Sequence, residues 1–212
     1  MKKLLFILFI SLSIFHTEAQ NSPRAEKLLD ELNNKLTSYK NIKAEFKYAL
    51  INQKAGVKSE TKGKVFIKGN KFHANYMGID DIFDGKKRYQ IIHENEEINI
   101  SNHQDDDEFT PDKIFTFYKK GYIKKMDIKQ KVKGRNIQYI KLIPKSSSAP
   151  EKYILLGIDS RSKNIYNVII KEKDGSTITF EFTKFSTNEI LPENLFKFNK
   201  NKYKDYYINE LD

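Results

Sequence analysis

Neither cysteine nor tryptophan occurs in the 212 residues. Disulfide frameworks, thiol nucleophiles, iron–sulfur clusters and cysteine–zinc sites are therefore excluded. Arginine is almost as scarce: Arg24, Arg88, Arg135 and Arg161 stand against 34 lysines. Readers of nucleic acid lean on arginine forks for bases and phosphates. Here lysines alternate with apolar residues along the chain, which is the pattern of a solvated sheet face, and no nucleic-acid partner is expected. HExxH, GxSxG, Walker and Rossmann motifs are missing too. Ser146, Ser147 and Ser148 have no histidine close by in the sequence, and Asp80-Asp81 reads as turn chemistry. No enzyme activity, cofactor or metal is expected.

What is present suffices for a packed core: 39% of the residues are hydrophobic, 13% aromatic and 31% charged. Lys2 and Lys3 precede an apolar run from Leu4 to Phe15, and Thr17-Glu18-Ala19 offers a cleavage point. A signal peptide over 1–19 is expected. The run is too short for a bilayer, which needs about 20 residues. Removing this segment changes the formal charge from +10 to +9, and weak attraction to anionic lipid surfaces or acidic partners follows.

Residues 20–212 read as one domain. Ser22-Pro23 starts a helix in which Ala25, Leu28, Leu29, Leu32, Leu36 and Tyr39 recur at three- and four-residue spacing. From Ile42 the period becomes two: Ile42, Ala44, Phe46, Tyr48 and Leu50 alternate with Lys43, Glu45 and Lys47. Return strands are expected at 57–68 and 71–77. Asp84-Gly85 marks a hairpin before Tyr89 and Ile91, and Ile98 and Ile100 mark another strand. A polar, acidic run from His103 to Glu108 interrupts the alternation. It is read as a solvated loop, since it lacks the spacing of a calcium loop. Thr110-Pro111 then opens a short helix carrying Ile114, Phe115, Phe117 and Tyr118. Strands resume at Tyr122 to Lys131, Asn136 to Ile143, 151–159, 165–173 and 176–187. The tail from Phe196 carries Phe198, Tyr203, Tyr206 and Tyr207, enough aromatic area to pack back. His73 is expected to face water and His93 to adjoin a turn.

Roughly eleven short strands joined by hairpins make an antiparallel sheet, and twist curls a sheet of that size toward a barrel. One apolar face leaves the concave side to be filled by side chains or by a ligand. The expectation is a mainly β (α+β), unclosed barrel of about eleven antiparallel strands, with a helical lid over an apolar cavity. An integral membrane barrel is excluded by lysines on the alternate face.

The order of parts resembles the periplasmic lipoprotein carrier family LolA, in a Bacteroidetes-like form. The matching stretches are Ala25-Glu26-Lys27-Leu28-Leu29 with Leu36, Ile42 to Phe46, Gly63 to Lys68, and Phe83-Asp84-Gly85-Lys86. Downstream come Phe109-Thr110-Pro111, Leu142 to Lys145, and Phe180-Glu181-Phe182 through Phe185, Asn188 and Leu191 to Phe198. The resemblance implies a monomeric periplasmic carrier that shelters the acyl chains of lipidated outer-membrane lipoproteins. These would be received from an inner-membrane LolCDE-type ABC transporter and released toward an outer-membrane acceptor left unspecified. The alternative is an envelope lipoprotein or lipid sensor on the same fold. Phe46, Tyr48, Leu50, Val65, Ile67, Phe72, Tyr76, Ile91, Ile98, Ile100, Phe115 and Phe117 are the expected acyl-chain-binding residues, and Phe72→Glu is expected to remove binding while sparing the fold. One departure stands out: where the family carries a lid-latching arginine and a proline, this chain reads Lys68-Gly69. Lys68 is the latch candidate, and without a planar fork a weaker or different latch is expected.

Overall fold

The computed structural model describes residues 21–102 and 110–211. The expected signal segment and the run His103 to Glu108 lie outside the described residues. The chain begins with helix α1 (Pro23–Ser38), followed by β1 (Ile42–Asn52), β2 (Val57–Lys68), β3 (Lys71–Tyr76), β4 (Ile79–Phe83), β5 (Arg88–Ile92) and β6 (Glu97–Ser101). After a covering segment come β7 (Tyr122–Val132), β8 (Arg135–Pro144), β9 (Glu151–Asp159), β10 (Ile165–Glu172), β11 (Thr177–Thr187) and β12 (Tyr207–Leu211). All twelve strands form one sheet in the order β12-β6-β5-β4-β3-β2-β1-β11-β10-β9-β8-β7. Among the described residues the first and last strands of that order do not pair with each other, so the sheet is unclosed, and its other pairings are antiparallel except β12 with β6; a mostly antiparallel, unclosed sheet is as expected. The twelfth strand is the tail, which adds to β6 in parallel.

The helix is amphipathic as its spacing requires: Ala25, Leu29, Leu32 and Leu36 are buried against the sheet. Ser22 does not cap it through its hydroxyl. Its main chain does the work instead, accepting from Glu26 N at 3.0 Å and donating to Lys124 O at 2.8 Å. Lys124 N in turn donates to Asn21 Oδ1 at 2.9 Å. The helix entry is thus bonded onto edge strand β7, satisfying main-chain groups of an otherwise bare edge.

The expected lid helix is two short 3₁₀ turns, Lys113–Phe115 and Phe117–Lys119. Thr116 breaks the run at φ −133°, ψ −17°. Crowded rings on consecutive residues favour such short turns over one α-helix, because no single helical stripe accommodates Ile114, Phe115, Phe117 and Tyr118 together.

The main core lies on the concave face. There α1 and the covering segment close over Ala44, Phe46, Val65, Leu142, Leu156, Val168 and Phe182. A bulge makes one wall possible. Phe46 pairs with Phe182 while Glu45 pairs with Lys184, leaving Thr183 as the extra residue. Phe180, Phe182 and Phe185 therefore all face inward although their spacing breaks strict alternation.

The sheet also has a second, outward core, which the expectation of one apolar face does not contain. Ile82, Ile91 and Ile98 are buried on the convex side, covered by Phe198, Tyr203, Tyr206 and Ile208 of the tail. His73, expected to face water, is half-buried beneath this tail, its Nδ1 2.9 Å from the Leu195 carbonyl oxygen.

Candidate functional site

The concave face keeps an apolar cavity of about 150 Å³. β1 supplies Phe46 and Tyr48, β2 supplies Thr61 and Val65, and β11 supplies Phe180. Tyr76 and Met77, at the end of β3, and Pro111 and Ile114, in the covering segment, complete the lining. Met77 is 59% exposed and stands at the rim. It turns the chain at φ +51°, a conformation that side-chain-bearing residues adopt at some cost. Phe46 occupies its position because its cross-strand partner is Gly63: a Cβ there would lie 2.3 Å from the ring. Burial pushes the Tyr48 hydroxyl pKa up, with the charge of Glu172 adding to it.

A dry cavity of about this volume takes a benzene-sized molecule. As the chain stands, the space accommodates a short hydrocarbon segment. A longer chain requires movement of the adjoining Ile114 and Phe115. Phe115, next to Ile114 in the covering segment, is buried, 5.3 Å from the ring of Phe182 and 6.1 Å from that of Phe185. A second hollow of about 270 Å³ is bordered by Leu36, Ile42, Ile67 and Phe115 together with the polar Asn33, Asn41, Asp112 and Lys119.

The expected lining residues divide accordingly. Phe46, Tyr48, Val65 and Tyr76 line the cavity, and Ile67 lies at the second hollow. Leu50 is two residues along from Tyr48 on the same face and is half-buried. Phe72 faces inward but is fully buried, stacked on Phe83 at 5.9 Å. Phe72→Glu would therefore unsettle the fold, contrary to the expectation. Phe117 packs edge-on against Tyr118 at 5.9 Å and Tyr122 at 6.2 Å.

Ile91, Ile98 and Ile100 are not brought to the cavity. Register places Arg88, Gln90 and Asn99 on the concave side and these isoleucines on the convex one, with Ile100 packed at the edge of the outer core. Alternation was correctly visible in β5 and β6, but its phase is inverted relative to β1–β3. Lys68 is exposed at the β2–β3 turn, and its neighbour Ile67 takes the inward position. By strand alternation Lys68 falls on the face opposite Ile67.

A buried ion pair went unnoticed in the sequence. Arg88 grips Asp81 with a two-pronged contact, Nε to Oδ1 at 2.9 Å and Nη2 to Oδ2 at 2.8 Å, and Tyr76 OH donates to Oδ2 at 3.1 Å. Arg88 is 3% exposed and Asp81 is fully buried. The Asp84-Gly85 hairpin contained the clue. It pairs Phe83 with Arg88 and Asp81 with Gln90, which makes Asp81 and Arg88 diagonal neighbours on one face. For Met77, Thr61 and Phe180 the sequence carried no comparable signal.

Fold and site together define a class: an unclosed, strongly curved sheet with an apolar hollow under a helix and a covering segment. The sequence profile of the family described as outer membrane lipoprotein carrier protein LolA matches residues 37–199, and the chain belongs to this family. Among solved structures, an uncharacterized conserved protein from Thermus thermophilus shares the fold at a TM-score of 0.61. Its identity is 12%, with 89% of this chain and 99% of that one covered. A LolA superfamily protein from Nitrosomonas europaea matches at TM-score 0.45 and 10% identity, covering 82% of this chain and 97% of its own. A putative outer membrane lipoprotein-sorting protein domain from Vibrio parahaemolyticus matches at 0.44 and 13%, covering 85% and 99%. Among curated proteins, none matches the sequence.

Proposed function

We propose that this protein is a periplasmic carrier of lipoprotein acyl chains. It would receive them from an inner-membrane LolCDE-type transporter and deliver them to the outer membrane. The observation that carries the reading is the apolar cavity under the covering segment, lined by Phe46, Tyr48, Val65, Tyr76, Ile114 and Phe180. Hydrocarbon entering it gains about 0.8 kcal/mol per buried methylene. A segment of six carbons thus gains on the order of 5 kcal/mol without any covalent step. Capture and release then depend on moving Ile114 and Phe115, not on chemistry, so no catalytic residue is assigned. The Lys2-Lys3 start and the apolar run to Phe15 supply the export signal that this location requires.

The test is mass spectrometry of the gently extracted protein, together with titration of a dansyl-labelled fatty acid. Co-purified lipid and saturable binding are expected. Thr61→Phe, which fills the cavity from its rim, is expected to weaken probe binding at least tenfold with an unchanged far-UV spectrum. A lipid-free protein that takes up no probe overturns the reading. Transfer of lipoprotein out of inner-membrane vesicles separates carriage from sensing, because a sensor binds and retains.

A further inference from the structure

The hairpin of β1 and β2 outreaches the strand beside it. β1 pairs with β2 along its whole length, from Ile42 with Ile67 to Asn52 with Val57. β3 pairs with β2 only as far as Tyr76 with Gly63. There Met77 and Gly78 turn the chain back into β4 at φ +51° and +76°. Two positive φ values in a two-residue hairpin loop favour asparagine or aspartate at the first place, so the methionine ends β3 against local preference. Val57–Lys62 is left with β1 on one side and, among the described residues, no strand on the other. At about 3.4 Å per residue this is about 20 Å of open edge, along which every second residue turns its N–H and C=O outward. Val57, Lys58, Ser59, Glu60 and Lys62 are exposed.

Two properties of this edge say what fits along it. First, it borders the cavity: Thr61 and Met77, on either side of the gap, both line that space. A strand added here runs along the rim, with one row of its side chains beside Val57, Ser59 and Thr61, which share the concave face with Tyr48. Second, the other row meets a surplus of positive charge. Lys58, Glu60 and Lys62 alternate onto the convex face, and Lys47 of β1 stands directly across from Lys62. Like charges opposite each other on neighbouring strands disfavour the pair. Among the described residues Lys47, Lys58, Lys62 and Glu60 form no ion pair. A second copy of this chain would bring the same surplus with it, whereas a strand with acidic residues at alternate positions neutralises it.

We infer that the open edge of β2 docks an extended, acidic polypeptide by strand addition, and that this polypeptide is the one whose acyl chain enters the cavity. The second half rests on the carrier reading above; the first does not. Main-chain hydrogen bonds to the edge give affinity, and acidic side chains at every second position answer Lys58 and Lys62. The acylated end then lies at the rim beside Met77. Joining both contacts in one molecule raises the effective concentration of each for its own site.

The probe is a six-residue peptide alternating aspartate with alanine, made with and without a hexanoyl group on its N-terminus. Hydrogen exchange of the segment 57–62 reads the docking, with β8 and β9 as reference. The aspartate peptide is expected to slow exchange in 57–62, and the hexanoylated form to bind at least tenfold more tightly. A peptide alternating lysine with alanine should bind about fivefold more weakly, and the double change Lys58→Glu with Lys62→Glu should reverse that preference. N-methylation of every second peptide amide can be placed in two phases. One phase should abolish the protection and the other leave it, because only alternate amides face the edge. Should the charge-reversed protein fail to fold, the two N-methylated peptides decide on the unaltered protein. Protection by the unacylated peptide without any uptake of fatty-acid probe supports the edge site and overturns only the carrier reading. Hexanoyl peptide that displaces the fatty-acid probe while exchange in 57–62 stays unchanged overturns the edge site and leaves the carrier reading standing. Equal binding of the aspartate and lysine peptides, or an edge closed in solution by a second copy, overturns it as well.

Discussion

At the scale of single residues, two contacts fix the site more firmly than the rest. Asp81 and Arg88 are both withdrawn from water, so removing one partner strands a buried charge. Arg88→Ala is expected to cost about 3–5 kcal/mol, read as a lower urea midpoint at unchanged slope. Replacing both residues by apolar ones should cost less than that single change. Gly63 is the second. An alanine Cβ there would clash with the Phe46 ring, and the ring can yield by turning into the cavity it lines. Gly63→Ala should therefore cost about 1–3 kcal/mol and also weaken fatty-acid probe binding. A stability loss with intact probe affinity would show that Phe46 moves elsewhere.

At the scale of elements, the covering segment and the tail do opposite things with aromatic rings. The segment drives Phe115 into the concave core against Phe182 and Phe185, where it borders the hollow beside Ile67. Phe115→Ala is expected to cost about 3–5 kcal/mol while enlarging the space. Stability should fall and the capacity for long-chain probe should rise, the reverse of Thr61→Phe, and calorimetry with parallel probe titration checks both. The tail instead lays Phe198 and Tyr203 on the outside of the sheet. It turns what would be an exposed apolar face of β5 and β6 into a second core, and its last strand pairs with β6. Such a face left bare would be an aggregation hazard.

At the scale of the whole molecule, stability in acid should follow Asp80. Its folded carboxyl lies below the ordinary 3.8, chiefly through His73, so the folded state binds this proton less readily than the unfolded chain. The stabilisation is then complete above the unfolded value and is lost as pH falls below it toward the folded one. Urea midpoints measured from about pH 6 down to about pH 2 are expected to drop over that lower range. Asp80→Asn should flatten this limb, and an unchanged limb would place the acid sensitivity in other carboxylates.

The sequence by itself determined the helix, ten of the strands and their mainly antiparallel pairing. Local spacing is enough for these: Leu29, Leu32 and Leu36 can share a face only in a helix, and Asp84-Gly85 can only turn back. It also placed Phe46, Tyr48, Val65 and Tyr76 on one surface, since they lie on neighbouring strands of the same phase. Tertiary structure alone decided the rest. Alternation states that Ile91, Ile98 and Ile100 share a face, but which face depends on register carried across four hairpins, and in β5 and β6 it is the convex one. The bulge at Thr183, which brings Phe185 inward beside Phe182, is set by pairing with β1. The parallel docking of Tyr207–Leu211 on β6 joins segments over a hundred residues apart, and no local pattern encodes a partner at that distance.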